Sequence, residues 1–202
     1  MTTKAPLLLL LETATPVCSV ALYRGEQQIA VKESTVAQSH SSLITPFIQD
    51  MFEEEGLPLS AIDAIGLSAG PGSYTGLRIG ASVAKGLCYA LNKPLIAINT
   101  LEAMAYGTAA QHEADYYIPM IDARRMEVYT AVYNRKMQPL LYPQPLELSD
   151  KTYLEFTRQG QCLVFGTGAA KLIDNFSPNN TLDLEGFTNS AKHLFKPVLL
   201  KY

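Results

Sequence analysis

A chain of 202 residues is long enough for one domain or for two small lobes that each bury a core. Its formal net charge of −3 argues against an autonomous nucleic-acid-binding protein, and no apolar run approaches the ~20 residues of a membrane span. The three cysteines are odd in number and far apart, which is typical of buried, reduced thiols in a cytoplasmic protein.

The first part of the chain predicts three strands. Leu7–Leu11 is a continuous apolar run, typical of a central strand covered on both faces. We favour a strand over a signal peptide, because the run holds only five leucines and ends at Glu12 without a small-residue cleavage site. The segments VCSVALYR (17–24) and QIAVKEST (28–35) follow, separated by a glycine turn, and complete a predicted three-stranded meander.

Helices and short strands alternate in the next segment. The residues SHSSLITPFIQDMFEEEG (39–56) carry apolar side chains at helical spacing, and Pro46 predicts either a kink or a late start of that helix. The further predicted elements are a strand over 64–69, a helix from about Thr75 to Leu91, a strand over 95–99 and a helix over 101–111.

The second half of the chain repeats the pattern of the first. When residue n is aligned with residue n+110, Glu12 matches Asp122 at the end of one apolar strand. Tyr23 then matches Tyr133 at the end of the next strand, and CLVFGTGAAKLIDNF (162–176) predicts a strand, a glycine turn and a helix. The matched lengths and acidic ends indicate a duplicated β-turn-β unit.

Two lobes built from such units are typical of the actin/hexokinase/Hsp70-like (ASKHA) fold, an α/β architecture with two RNase-H-like lobes. We predict an N-terminal lobe of residues 1–100 and a reduced C-terminal lobe of residues 101–202. Nucleotide phosphates bind at the glycine turns of this fold, but the fold alone does not fix a function.

The stretch SAGPGSYTGLRIG (68–80) raises the question whether its glycines bind phosphate or allow close packing. It holds neither a P-loop nor a dinucleotide fingerprint, since no glycine precedes a Lys-Ser/Thr pair and Gly70-x-Gly72 leads to Thr75. We favour packing, because a glycine inside a helix costs ~1 kcal/mol relative to alanine unless another backbone approaches closely. The alternative is a weak nucleotide site at the N-terminus of the helix. Its residues are Glu12, Gly70, Gly72, Ser73 and Gly76.

Four segments together resemble the TsaB (YeaZ) family of bacterial tRNA threonylcarbamoyladenosine proteins. They are LETATPVCSVALYRGE, SHSSLITPFIQDMF, GLSAGPGSYTGLRIGASVAKGLCYAL and PMIDARRMEVYTAVY, in this order and spacing. The resemblance covers residues 7 to about 136, and its most distinctive part is GPGSYTGLRIG. Beyond residue 140 the recognisable pieces are VFGTGAAKL and SAKHL.

The resemblance implies a two-lobed fold of the same kind and a cytoplasmic subunit with no catalytic residues, no metal site and no required cofactor. Such a subunit binds and activates TsaD, which transfers a threonylcarbamoyl group to N6 of the adenosine beside the anticodon of ANN-decoding tRNAs. TsaE, a small ATPase, joins the complex, and ATP or ADP binds at the partner interface. The isolated chain is expected to form a homodimer, to contact tRNA only indirectly or weakly, and not to associate with membranes.

Two helices of the N-terminal lobe carry the predicted partner interface, since the resemblance implies that this lobe dimerises. The first helix holds large apolar side chains about one turn apart, and the second holds a row of small residues. Large side chains that meet such a groove let two helix pairs pack as a four-helix interface. The predicted interface residues are Leu43, Phe47, Met51, Gly76, Arg78, Ile79, Gly80, Val83 and Ala84.

Two features depart from the family pattern. Glu12 stands where relatives usually have aspartate, and the extra methylene would disturb any magnesium–phosphate geometry. FKPVLLKY follows directly on SAKHL, where the resemblance implies an additional helix, so we expect a shortened second lobe.

Two enzymatic alternatives stay open. An ATP-dependent ASKHA small-molecule kinase needs carboxylates at its phosphate turns, and Glu12 and Asp122 hold those positions, although we favour carboxylates that cap turns. A glycoprotease-like peptidase is less favoured, because its metal needs a His-x-x-x-His pair on one helix face. His40, His112 and His193 are instead more than 70 residues apart.

Overall fold

The computed structural model of the chain describes residues 5–36, 40–148, 159–176 and 179–202. The chain divides into two compact units: Met1–Ala103 together with Asn189–Tyr202, and Met104–Thr188. The helices are α1 (His40–Glu54), α2 (Tyr74–Leu91), α3 (Thr100–Ala109), α4 (Ala169–Phe176) and α5 (Phe195–Lys201). Among the described residues, none of the helices combines the length and the apolarity that a membrane span requires.

The first unit contains a five-stranded mixed sheet. Its strands are β1 (Leu7–Glu12), β2 (Cys18–Arg24), β3 (Gln27–Ser34), β4 (Ala64–Ser68) and β5 (Leu95–Ile98). The strand order is β3-β2-β1-β4-β5, with β1 antiparallel to β2 and parallel to β4. The predicted meander and the central position of β1 are confirmed.

Both faces of this sheet are covered, which explains the continuous run of leucines in β1. On one face, Leu9 and Leu11 pack with the buried side of α1 and with Ala84 of α2. On the other face, Leu8 and Leu10 pack with buried apolar residues of the C-terminal segment. Helix α1 begins at His40, so the late start that Pro46 allowed is wrong.

The C-terminal segment differs from the prediction that residues 101–202 form one lobe. Asn189–Tyr202 belongs to the first unit, because Ala191, Leu194 and Val198 cover the second face of its sheet. Gly66 on β4 allows this approach, since a Cβ there would lie 2.5 Å from Val198 Cγ2. FKPVLLK, which follows SAKHL directly, forms α5.

The second unit contains a sheet of the same topology. Its strands are β6 (Tyr116–Asp122), β7 (Glu127–Asn134), β8 (Pro139–Glu147), β9 (Cys162–Phe165) and β10 (Thr181–Asp183). The order β8-β7-β6-β9-β10 repeats that of the first unit, with β6 antiparallel to β7 and parallel to β9. The duplication is confirmed, and Glu12 and Asp122 both end the central strand of their sheet.

Candidate functional site

The glycine loop lies directly on the turn that follows β1. The Ser73 amide donates to the Ala14 carbonyl oxygen at 2.6 Å. A Cβ at Gly72 would overlap the Ala14 carbonyl, and a Cβ at Gly76 would overlap the Thr13 carbonyl. The glycines therefore allow two segments of this chain to come into backbone contact, as the packing interpretation predicts.

Two of the amides at the start of α2, those of Gly76 and Leu77, have acceptors within the chain. Ser73 caps the helix, and its Oγ accepts from the Gly76 amide at 3.2 Å. The Ser73 carbonyl accepts from the Leu77 amide at 2.8 Å. Of the residues assigned to the nucleotide site, Ser73 is exposed, Gly70 and Gly72 are half-buried, and Glu12 and Gly76 are buried. The nucleotide site stays a prediction.

Glu12 is a fully buried carboxyl group at the end of β1. Its Oε1 accepts from the Ala14 amide at 2.6 Å, and its Oε2 accepts from the Ser68 hydroxyl on β4. The side chain of Asn189 lies beside the same carboxyl. Burial raises the pKa of Glu12 from 4.5 to about 7, because these hydrogen bonds offset only part of the desolvation cost.

Asp122 occupies the equivalent position in the second unit and has the opposite environment. It is exposed, and its Oδ1 accepts from Lys171 Nζ and from the Arg124 amide, at 2.6 and 2.7 Å. The bond from Lys171 holds the pKa of Asp122 below its usual value. Both carboxyl groups therefore bind the backbone amide two residues further on, which is the turn-capping role.

Four of the nine predicted interface residues cannot reach a partner. Met51 was predicted to enter a groove, and Gly76, Gly80 and Ala84 were predicted to form one. All four are buried within the first unit, so their assignment to the interface is wrong. The physical reason is that the chain's own turn fills the groove. A Cβ at Gly80 would overlap the Thr13 side chain and lie 3.1 Å from Leu67 Cδ1.

The other five residues lie on or beside the outward surface of α1 and α2. Arg78 is exposed, and Leu43, Phe47, Ile79 and Val83 are half-buried against the core. We call these five residues, together with the exposed residues of α2, the helix face. Of the predicted interface, this part stays a prediction.

Sequence reasoning missed the most exposed part of α2. Tyr74 and Tyr89 are 68 % and 93 % exposed, and the Arg78 guanidinium lies 4.2 Å from the centre of the Tyr74 ring. Gly86 lies in the same helix, and apart from its chain neighbours and the backbone of its own helix no described atom comes within 4 Å of a Cβ placed there. The sequence held one signal for this: Gly86 is a third glycine in the helix, and helical spacing places it on a different side from Gly76 and Gly80.

The two helices that carry the helix face differ in charge. Helix α2 carries Arg78 and Lys85 and no carboxylate, whereas α1 carries Asp50, Glu53 and Glu54 and no lysine or arginine. Glu54 is already paired with Lys32 of β3, at 2.7 Å.

Two of the histidines have hydrogen-bond roles in the first unit. His40 Nε2 donates to the Thr15 carbonyl at 2.9 Å, and His193 Nδ1 lies 3.2 Å from Asn189 Oδ1. Burial lowers the pKa of His193 to about 4. Within the described parts of the chain, no three His, Cys, Asp or Glu side chains group closely enough to hold a metal ion.

Comparisons with known proteins agree on one family. The model of the family TsaD, tRNA N6-adenosine threonylcarbamoyltransferase, matches residues 29–141. The tRNA threonylcarbamoyladenosine biosynthesis protein TsaB of Haemophilus influenzae is 42 % identical over 123 residues, which are 60 % of this chain and 51 % of that protein. The Escherichia coli protein of the same name is 33 % identical over 165 residues, 80 % of this chain and 71 % of that protein. The match thus spans about half of the Haemophilus relative and more of the Escherichia one.

The solved structures give the same result. YeaZ from Pseudomonas aeruginosa superposes with a TM-score of 0.79 at 27 % identity, over 94 % of this chain and 89 % of that one. A second Pseudomonas aeruginosa structure, described as similar to peptidase YeaZ, gives a TM-score of 0.82 over 96 % of this chain and 90 % of that one, also at 27 % identity. The chain belongs to the TsaB (YeaZ) family, within the wider group that the TsaD model describes.

Proposed function

We propose that this chain acts in the biosynthesis of tRNA threonylcarbamoyladenosine, as the subunit that binds and activates a TsaD-type threonylcarbamoyltransferase. The names of its TsaB relatives support the pathway, and the resemblance of the sequence to that family supports the role of partner. We propose that the partner supplies the catalytic groups, because the carboxyl groups of Glu12 and Asp122 are engaged in capping their own turns. We propose that the chain acts in the cytoplasm, where its tRNA substrate is found.

The observation that carries this proposal is the helix face. Half-buried apolar side chains along α1 and α2 leave apolar surface in water, which a docked helix would cover. Gly86 adds a specific argument, because a glycine inside a helix costs ~1 kcal/mol relative to alanine and nothing in the described chain approaches it. A partner backbone that passes over Gly86 would offset that cost.

The charges of α1 and α2 favour a two-fold homodimer. A second copy of the chain, related by a two-fold axis, would bring the acidic α1 of one protomer to the basic α2 of the other. The proposed TsaD heterodimer uses the same surface, so the homodimer and the heterodimer exclude each other. TsaE joins the heterodimer, and tRNA is held mainly by the partner subunits, in keeping with the net charge of −3.

We propose no cofactor of the chain's own. ATP or ADP binds at the partner interface, and the isolated chain binds nucleotide weakly because the Gly76 and Leu77 amides are already engaged. Calorimetry on the isolated chain should give no sub-micromolar affinity for ATP, and such an affinity would contradict this part of the proposal.

The experiment is co-purification with the TsaD-type protein of the same organism, followed by a tRNA threonylcarbamoylation assay with TsaE and threonylcarbamoyl adenylate. Gly86→Leu puts a large side chain where the chain has no neighbour within 4 Å, so the fold should persist while the partner is lost. Ala170→Leu makes a similar change at an exposed position of α4 and should keep the partner. A wild-type chain that neither binds TsaD nor affects tRNA modification would refute the proposal.

A further inference from the structure

The turn Thr13–Thr15 supports the beginnings of both helices of the helix face. The Thr13 carbonyl lies against Gly76 at the start of α2, and the Ala14 carbonyl accepts from the Ser73 amide at 2.6 Å. The Thr15 carbonyl accepts from His40 Nε2 at 2.9 Å, at the first residue of α1. Three consecutive carbonyl groups thus position two helices.

Glu12 holds this turn from beneath. Its Oε1 accepts from the Ala14 amide, and its Oε2 contacts Ser68 on the neighbouring strand β4. Neither oxygen is exposed. A neutral carboxyl keeps both contacts, because Oε1 still accepts from Ala14 and the acid proton can bridge to the Ser68 oxygen.

We propose that Glu12 is a proton-operated latch, which favours the closed turn Thr13–Thr15 while it is neutral and favours opening of the turn when it ionises. Ionisation transfers the carboxyl proton to water and leaves a buried carboxylate, whose solvation improves only if the turn opens. In the open turn the α1 and α2 starts lose their carbonyl partners, so the helix face responds to pH. This last step rests on the proposed function, whereas the latch itself is a property of the isolated chain.

The direction of the response follows from linkage. The closed turn raises the pKa of Glu12 to about 7, and an open turn returns it towards the ordinary 4.5, so the closed turn binds the proton more tightly. The closed state is favoured most below pH 4.5 and loses this advantage as the pH rises to about 7. These two values shift the ratio of open to closed turns about tenfold between pH 6 and pH 8.

Other titratable groups lie around Glu12 or bond the same turn. Burial raises the pKa of Cys18 on β2 to about 11, and His193, bonded to Asn189, has its pKa lowered to about 4. Glu33 of β3 lies 3.9 Å from Lys192, and Ser190 donates to the same carboxylate. His40 bonds the turn itself and needs its own variant.

Amide hydrogen exchange of the isolated chain tests the latch. The exchange rates are compared as protection factors, which correct for the pH dependence of the intrinsic exchange rate. The amides of Ala14 and Ser73 should lose about tenfold in protection between pH 6 and pH 8 in the wild type. Glu12→Gln should abolish this change, and His40→Asn should retain it. Turn amides that exchange no faster than the Ile65 amide of β4 would mean that only global unfolding opens the turn, which would overturn the proposal.

A titration of the Glu12 carboxyl carbon by NMR decides the matter even if a variant does not fold. A midpoint near 7 is expected, and a midpoint near 4.5 would overturn the latch. The affinity for TsaD should then weaken from pH 6 to pH 8 in the wild type and stay constant in Glu12→Gln. Absence of any TsaD binding would count against the proposed function only, whereas a responsive turn with constant affinity would overturn the regulation.

Discussion

The same substitution at two glycines of α2 should have opposite effects on stability. At Gly76, an alanine Cβ would overlap the Thr13 carbonyl oxygen, a backbone atom in a turn that Glu12 also holds. At Gly86, the added Cβ has no neighbour within 4 Å. The two positions therefore separate a glycine that the fold requires from one that it does not.

The magnitudes follow from known costs of overpacking and of helix propensity. Gly76→Ala should lower the free energy of unfolding by about 1–3 kcal/mol, because the turn must shift to admit the Cβ. Gly86→Ala should raise it by about 1 kcal/mol, the difference in helix propensity between glycine and alanine. With a urea m-value of about 2 kcal/mol/M, the two unfolding midpoints should differ by about 1–2 M.

The assay is urea unfolding followed by circular dichroism, with the wild-type chain measured beside both variants. A Gly76→Ala variant as stable as the wild type would show that the turn does not press on α2. Shifts of both variants in the same direction would refute the assignment of packing to one glycine and openness to the other.

Three further predictions use the same assay. Glu12→Gln should be more stable than the wild type by up to about 3 kcal/mol at pH 8, because a carboxyl group with a raised pKa loses stability when it ionises. The variant should also lack the fall in stability that the wild type shows between pH 4.5 and pH 7. Equal pH profiles of the two proteins would contradict the burial of this carboxyl. Gly80→Leu should abolish the cooperative unfolding transition rather than remove partner binding alone, because the leucine side chain would overlap Thr13 and Leu67. A folded variant would instead support the hypothesis that Gly80 lines an open groove. Val198→Ala should lower the free energy of unfolding by about 2 kcal/mol, because two buried methyl groups are lost from the second face of the sheet. Leu200→Ala, at a position that is 63 % exposed, should change it by less than about 0.5 kcal/mol. Similar losses for the two variants would argue against the docking of α5 on the sheet.

Most of the sheet topology could be predicted from the sequence because the same pattern of strands occurs in both units. Alignment of residue n with n+110 places Glu12 on Asp122, and both residues end the central strand of a five-stranded sheet with the same order. The strand β8 was missed because Pro139, Pro143 and Pro145 lie within it, and proline is tolerated there since β8 is an edge strand paired with β7 alone among the described strands. Local pattern gives no warning of such an edge.

The candidate site was predicted less well, for a geometrical reason. Helical spacing identifies rows of residues, but it does not say which row faces the chain's own core. Gly76 and Gly80 were assigned to a partner, yet the turn at Thr13, more than 60 residues earlier, covers them. The glycine of α2 that is exposed on the outward surface is Gly86. The placement of Asn189–Tyr202 was missed for a similar reason, since apolar spacing does not reveal which sheet a short helix covers.

The two units show how a duplicated motif acquires different chemistry. Each places a carboxyl group at the end of its central strand, and each carboxyl binds the amide two residues on. In the second unit Asp122 meets Lys171 and solvent, which favours the charged form. In the first unit β4 and the C-terminal segment bring only neutral groups to Glu12, so burial favours the proton. The turn above Glu12 contacts the starts of two helices, and through these contacts the proposed latch would couple the charge at one strand end to the helix face.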